Sequence, residues 1–172
     1  HLIAEGLPQR RIYLTGSPMK EVLNAYADKV KQSSILADFK LSKNQYFVFS
    51  IHREENVDYP DQLNKIVESI HHLSQYYPIP FVFSCHPRTL KRIESMQLQL
   101  PSNVLLLKPF GFFDYIALQQ NAKCVISDSG TISEESSMLS FPAISIRESM
   151  ERPEAQDAGT IILSGINKEG VL

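Results

Sequence analysis

The sequence predicts a doubly wound α/β domain, in which a parallel sheet carries helices on both faces. Short apolar runs rich in β-branched and aromatic residues alternate with amphipathic segments of helical period along the chain. These runs are not joined by hairpin-type turns, so consecutive strands are expected to run parallel. The 172 residues are enough for one such domain with a sizeable core.

The first half of the chain begins with "RIYLTG", which predicts a short strand, and "SPMKEVLNAYADKVKQ", which predicts a helix. Ser17 is the expected cap of that helix and Pro18 its first residue. Its predicted buried face carries Met19, Val22, Leu23 and Tyr26.

Two continuous apolar runs follow, "QYFVFSI" and "PFVFSC", as expected of strands buried on both faces. The segment between them, "DQLNKIVESIHHLSQY", predicts a helix. Its apolar residues recur at helical spacing on one face: Leu63, Ile66, Val67, Ile70 and Leu73. After the second run, "RTLKRIESM" predicts a further helix.

The second half repeats the alternation. Strands are predicted at "NVLLL", "CVIS", "PAISI" and "GTIIL", and helices at "FFDYIALQQN" and "TISEESSML". Each helix lies between two strands, as a crossover connection requires.

Composition excludes several classes of function. Seventeen Lys and Arg against nineteen Asp and Glu provide no electrostatic basis for binding nucleic acid or an anionic membrane. Apolar runs fall far short of the roughly 20 residues that span a bilayer, and the N-terminus does not resemble a signal peptide. The two isolated cysteines predict buried thiols in a reducing cytoplasm. Without clustered ligands or a G-x-G-x-x-G motif, no metal, nicotinamide or other cofactor is expected.

Polar residues follow most of the predicted strands, at the edge where ligands bind in parallel sheets. His52, His86, the Ser129–Gly130 turn and Arg152 all come soon after a strand. Individually, each has a structural alternative: a satisfied histidine at a strand end, a turn, a helix cap, or a surface ion pair. Their common location predicts a polar cleft that can accept an anion.

The stretch "SDSGTISEESS" combines a helix start, whose amides attract anions, with two acids that would repel them. A ligand with both a charged part and a neutral, hydroxyl-rich part would satisfy both features. A nucleotide sugar is such a ligand.

Three motifs, in this order and spacing, resemble the non-hydrolysing UDP-N-acetylglucosamine 2-epimerase family: "HREEN", "SDSG" with "EE" after it, and "ERPEA" followed by "GT". The resemblance covers nearly the whole chain. It implies the Rossmann-like second domain of a two-domain GT-B-type fold, shared with sugar-nucleotide glycosyltransferases. The N-terminal domain of the same protein and the final helices are expected to lie outside residues 1–172. The full-length protein is expected to be a cytoplasmic isomerase and a homodimer.

The resemblance also implies roles for particular residues. His52 is expected in the active site, near the bond between sugar and phosphate. Ser129, Gly130 and Arg152 are expected to bind the diphosphate, since arginine pairs well with phosphate oxygens. Glu135 is expected to hold the ribose hydroxyls, which explains why an acid stands beside an anion site.

Tyr115 is implied near the uracil. Thr131, also expected at the nucleotide, replaces the usual second glycine of "SGG" and narrows the backbone's approach to phosphate. Arg53 and His86 resemble part of a second site where UDP-N-acetylglucosamine acts as activator. The usual second arginine of "HRREN" is Glu54 here, which puts that regulation in doubt.

The implied reaction inverts C2 of a UDP-N-acetylhexosamine by eliminating and re-adding UDP. "HREENVD" with "GSPMKEVL" resembles the branch that makes UDP-N-acetyl-L-fucosamine for capsule or O-antigen, whose substrate is a 6-deoxy talose-type UDP-sugar. The sequence leaves open which sugar is bound. Two alternatives are a GT-B glycosyltransferase donor domain and a nucleotide-sugar binding module without catalysis.

Overall fold

The computed structural model describes residues 2–147, 159, 161–166 and 168–171. In these ranges six strands form one sheet, and every pairing between neighbours is parallel. The strands are β1 (Phe47–Ser50), β2 (Phe81–Ser84), β3 (Val104–Leu107), β4 (Cys124–Ser127), β5 (Ala143–Ser145) and β6 (Ile161–Leu163). The predicted parallel sheet is confirmed.

Helices precede, connect and follow these strands in the described ranges. They are α1 (Met19–Ala25), α2 (Ala27–Lys31), α3 (Ile35–Asp38), α4 (Glu54–Val57), α5 (Pro60–Tyr76), α6 (Pro87–Ser95), α7 (Phe112–Asn121), α8 (Ile132–Leu139) and α9 (Lys168–Val171), after a 3₁₀ turn at Gln9–Arg11. The described helices include none that is both long enough and apolar enough to cross a membrane.

The strand order is β3-β2-β1-β4-β5-β6, so the direction of winding reverses between β1 and β4. This is the order of doubly wound dinucleotide-binding sheets, and the reversal opens a crevice at the carboxyl ends of the two strands. The loops that follow β1 and β4 meet at this crevice. The sheet order therefore places the "HREEN" and "SDSG" motifs side by side.

The sheet is buried on both faces, as its continuous apolar strands predict. In β1, Val48 belongs to one core cluster, while Phe47 and Phe49 belong to the other. Helix α5 closes the second cluster with the face that its spacing predicts. That face is buried at all five positions: Leu63, Ile66, Val67, Ile70 and Leu73.

The N-terminal segment differs from the prediction. The stretch at 12–16 has no regular structure, and Tyr13 and Leu14 are exposed. A lone apolar run without a paired neighbour does not form a strand, since strands are stabilised across a ladder. The helix predicted after it is split at Tyr26 into α1 and α2, leaving Val22 and Tyr26 exposed. The predicted buried face is thus wrong at these two positions, whereas Leu23 is buried.

Candidate active site at the β1–β4 crevice

A buried carboxylate organises the crevice. Asp128 directly follows β4 and is fully buried. It accepts hydrogen bonds from the backbone N–H groups of His52, at 3.1 Å to both oxygens, and Arg53, at 2.9 Å. The Asn56 amide donates to it at 3.0 Å. These bonds fix the "HREEN" segment against the end of β4, and α4 begins at Glu54 within that segment.

The same carboxylate holds the His52 ring. The Nδ1 atom of His52 lies 3.2 Å from Oδ1 of Asp128, and the histidine side chain is 45% exposed. A carboxylate oxygen only accepts, so a neutral ring that carries its proton on Nδ1 can donate to Asp128 and keeps Nε2 as an acceptor. One side of the imidazole is thereby anchored, and the other is available to a ligand.

A polar turn leads from β4 into α8. The Ser129 N–H donates to the Ser127 hydroxyl at 3.0 Å, and the hydroxyls of Ser129 and Thr131 are 3.0 Å apart. The Thr131 N–H also donates to Ser129 Oγ at 3.4 Å. Ser129, Gly130 and Thr131 are half-buried at the start of α8, where backbone amides favour negative charge. The place expected for the diphosphate is therefore an ordered turn.

The two adjacent glutamates of α8 have different partners. Glu134 accepts a hydrogen bond from the Ser17 hydroxyl at 2.5 Å, across 117 positions of sequence. That hydroxyl also accepts from the Met19 N–H at 3.1 Å. The helix begins at Met19 with Pro18 as its N-cap, one residue later than the predicted start with Ser17 as cap and Pro18 as first residue. Glu135 is only 8% exposed and accepts from Gln119 Nε2 at 2.8 Å. Glu134 thus helps hold the N-terminal segment, and Glu135 belongs to the interior of the crevice.

Tyr115 of α7 completes this polar group. Its half-buried ring packs against one core cluster. Burial, with the nearby charge of Glu135, raises the pKa of Tyr115 to about 12, against a lowering by the nearby Ser50 and Gln119 side chains. The phenol is therefore neutral at physiological pH. Its predicted place beside a uracil stays a prediction.

The residues expected at an activator site lie on neighbouring loops. His86 is the N-cap of α6, and its Nδ1 accepts from the Arg88 N–H at 3.2 Å. Arg88 bridges this loop to α4, with one nitrogen 2.9 Å from Glu54 and two others hydrogen-bonded to Asp58. Hydrogen bonds to Glu54 and Asp58 raise the pKa of Arg88 further above its usual value. Glu54, the departure from the family motif, thus serves as an ion-pair partner.

Arg53, the other residue predicted there, contacts Glu55 at 3.4 Å and also donates its backbone N–H to Asp128. Arg152 and the rest of "ERPEA" lie outside the described residues. In the described ranges, groups of three or more His, Cys, Asp or Glu that could hold a metal ion are absent.

Sequence reasoning missed three residues of this site: Asn56, Gln119 and Asp128. Asp128 could have been recognised from the sequence. It directly follows an apolar strand, where burial is expected, and a buried carboxylate requires hydrogen-bond partners. Gln119 could not, because a glutamine in an amphipathic helix is ordinary until its burial is known.

Comparison with known proteins identifies the family. The family model described as UDP-N-acetylglucosamine 2-epimerase matches residues 1–172. This chain belongs to the UDP-N-acetylglucosamine 2-epimerase family. A relative of that name from Methanocaldococcus jannaschii is 34% identical over 179 residues, covering all of this chain and 49% of that protein. The chain spans about half the length of the curated relatives it matches.

Solved structures agree with this membership. The UDP-N-acetylglucosamine 2-epimerase of Rickettsia bellii is 43% identical, with a TM-score of 0.87, over 99% of this chain and 45% of that one. The M. jannaschii enzyme in complex with UDP-GlcNAc and UDP is 31% identical with a TM-score of 0.90, over 99% of this chain and 48% of that one. An Escherichia coli heptosyltransferase with ADP, at 18% identity and a TM-score of 0.54, shares the fold. The GT-B-type fold class predicted from the sequence is confirmed.

Proposed function

We propose that this chain is the UDP-binding half of an enzyme that inverts C2 of a UDP-N-acetylhexosamine. The observation that carries the proposal is the β1–β4 crevice. It places an ordered helix-start turn, a buried Glu135 and an anchored His52 at the switch point of a doubly wound sheet. Relatives with this fold were solved with UDP-GlcNAc and UDP bound, which supports the same ligand class here.

The ligand's parts match the site's parts. The turn of Ser129, Gly130 and Thr131, with its amides and hydroxyls, is the candidate diphosphate site, and Arg152 is the candidate side-chain partner of the phosphates. Glu135 is positioned on the next turn of α8, where neutral ribose hydroxyls can donate to it. Tyr115 is the candidate neighbour of the uracil.

The proposed reaction is an elimination followed by an addition. A base removes the C2 proton, the bond between C1 and the diphosphate oxygen breaks, and the C1–C2 double bond of a glycal forms. UDP then adds back to C1 while C2 takes a proton on the opposite face. Preset donors around the departing diphosphate stabilise its growing charge, which is the task of the α8 turn and Arg152.

His52 acts at the junction of sugar and phosphate. With Nδ1 beside Asp128, the Nε2 of the half-exposed ring is the nitrogen proposed to act on the ligand. It can donate a proton to the leaving oxygen or, when neutral, accept a hydrogen bond. The carboxylates that move the C2 proton are proposed to belong to the N-terminal domain of the same protein. The full-length protein is proposed to be a cytoplasmic homodimer that supplies precursors for cell-surface polysaccharide, either capsule or O-antigen.

We also propose activator control through Arg53 and His86, but with weaker binding of the activator than the family motif implies. Arg88 lies between the loops of these two residues and is already paired with Glu54 and Asp58. An activator diphosphate would have to compete with two carboxylates for that guanidinium.

Calorimetric titration of the full-length protein with UDP tests the nucleotide site. UDP is expected to bind, and Arg152→Ala to weaken binding about tenfold, since a charge-assisted phosphate contact contributes about 1.5 kcal/mol. Lys108→Ala, a charge change outside the three motifs, is the matched control. Unchanged UDP affinity in Arg152→Ala would reject that contact. The 172-residue chain alone is expected to bind UDP more weakly and not to epimerise.

The likeness to a heptosyltransferase fold keeps a glycosyltransferase as the second candidate. The two activities separate in one assay. An epimerase converts its UDP-sugar without an acceptor, whereas a transferase releases UDP only when an acceptor is added. A binding module without catalysis would do neither.

A further inference from the structure

Gln119 is a fully buried polar residue beside the proposed nucleotide site. It lies near the end of α7 and has no exposed surface. Its Nε2 donates to Glu135 Oε2 at 2.8 Å, across 16 positions of sequence. Gln119 thus links α7 to the buried acid of α8.

The carbonyl oxygen of the Gln119 amide lacks a hydrogen-bond donor. Within the described part of the chain, Gln119 Oε1 is buried without a hydrogen-bond partner. A buried acceptor that lacks a partner destabilises the fold, and an apolar side chain of similar length would fill the same space without that penalty. Packing therefore does not explain a glutamine here, whereas its N–H donor to Glu135 does.

The bond constrains Glu135. A glutamate side chain has three rotatable torsions, and the outermost is broad, so an unheld carboxylate samples many orientations. With Oε2 held by a donor that is itself fully buried, the orientation of the carboxylate is restricted before a ligand arrives. Preorganisation of this kind increases affinity because the ordering cost is not incurred on binding.

We propose that Gln119 is a positioning residue that orients Glu135 toward the ribose and so governs discrimination between ribose and 2′-deoxyribose nucleotides. The inference rests on the proposed ribose contact of Glu135. Gln119 does not touch the ligand itself and acts through the carboxylate.

The test compares UDP with 2′-deoxy-UDP on the full-length protein by calorimetric titration. The wild type is expected to prefer UDP by about tenfold or more, because a hydrogen bond to a charged group is worth at least that ratio. Gln119→Met is expected to reduce the preference to about two- to threefold, mainly by weakening UDP. Glu135→Gln is expected to reduce it at least as far.

Gln120→Met is the matched control, since Gln120 is the exposed neighbour on the same helix, and its preference should equal that of the wild type. Thermal unfolding of each variant reports on folding. Should Gln119→Met not fold, Gln119→Asn serves instead, because it keeps the amide but withdraws it by one methylene. The same loss of preference is expected from it.

The outcomes distinguish the positioning role of Gln119 from the ribose contact of Glu135. If Glu135→Gln abolishes the preference and the Gln119 variants retain it, the positioning role is overturned while the ribose contact stands. If the Gln119 variants weaken both nucleotides equally, the residue is only structural and the inference fails. If the wild type itself binds both nucleotides equally, the ribose contact of Glu135 is rejected and the inference falls with it.

Discussion

Two aspartates at the same rim of the sheet are satisfied in opposite ways. Asp128 is fully buried, and its partners are two backbone N–H groups, an amide and an imidazole. Asp58 is partly exposed and pairs with two arginines, Arg88 and Arg92, whose side chains are about as exposed as those of ordinary surface residues. One carboxylate determines the conformation of a loop, whereas the other belongs to a solvated charge network.

The difference shows which of the two carboxylates determines the conformation of the neighbouring loop. Several short bonds to a buried carboxylate define one arrangement, since leaving any of them unmade costs more than a bond contributes. Ion pairs in water contribute little and tolerate rearrangement. The conformation of the "HREEN" loop is therefore expected to depend on Asp128 far more than on the Asp58–Arg88 network.

The largest expected effect is the loss of Asp128. Asp128→Ala leaves a buried space, and it leaves two backbone N–H groups, the Asn56 amide and the His52 imidazole without their partner. The free energy of unfolding should therefore fall by about 3 kcal/mol or more. Asp128→Asn keeps one acceptor and should lose less. Urea unfolding of the full-length protein measures both, with Asp58→Asn as the comparison. Equal losses from Asp128→Ala and Asp58→Asn would remove the distinction between the two aspartates.

His52→Ala tests whether the residue held by Asp128 contributes to turnover rather than to stability. The turnover rate of the full-length protein should fall about hundredfold or more, which is typical for loss of a group that handles a proton. Stability should change little, because the side chain is 45% exposed. Steady-state kinetics and thermal unfolding provide the two readings. Unchanged turnover would favour a binding module without catalysis.

A pH titration extends the comparison to a neutral acid, the half-buried phenol of Tyr115. Burial raises the pKa of Tyr115 to about 12 in the folded protein, above the usual value of 10.0. Its contribution to stability is therefore complete below pH 10 and is lost as pH rises toward 12, by at most about 1.4 kcal/mol per pH unit. Urea unfolding between pH 9 and 11.5 should show a shallower decline for Tyr115→Phe than for the wild type. Parallel declines would contradict this assignment.

The smallest effect is expected from the exposed network. Arg88→Ala should lower the free energy of unfolding far less than Asp128→Ala does, and added salt should shrink the loss further. Lys91→Ala, on the same helix, is the control. If Arg88→Ala costs as much as Asp128→Ala, and salt leaves that cost unchanged, the network cannot be a solvated one.

Much of the fold follows from local pattern. The continuous apolar runs of β1 and β2 predict strands that are buried on both faces, and the spacing of apolar residues in α5 predicts a helix that is buried on one face. Such predictions succeed because the environment of side chains repeats with the period of the strand or helix that carries them. The motifs "HREEN" and "SDSG" could also be placed at strand ends from the sequence. The "RIYLTG" prediction failed because a strand needs a neighbour, which no local pattern specifies.

Only the tertiary structure decided which side chains contact one another inside the crevice. Asp128 meets His52 and Asn56 because β4 lies beside β1, and strand order depends on how crossovers wind rather than on any one segment. Glu134 and Glu135 are adjacent in sequence, yet one holds Ser17 and the other Gln119, since neighbouring helical residues face different surroundings. The sequence by itself thus determined which elements form and which polar residues reach the rim. Their partners were decided by contacts between segments far apart in the chain, whose energies depend on the packed sheet.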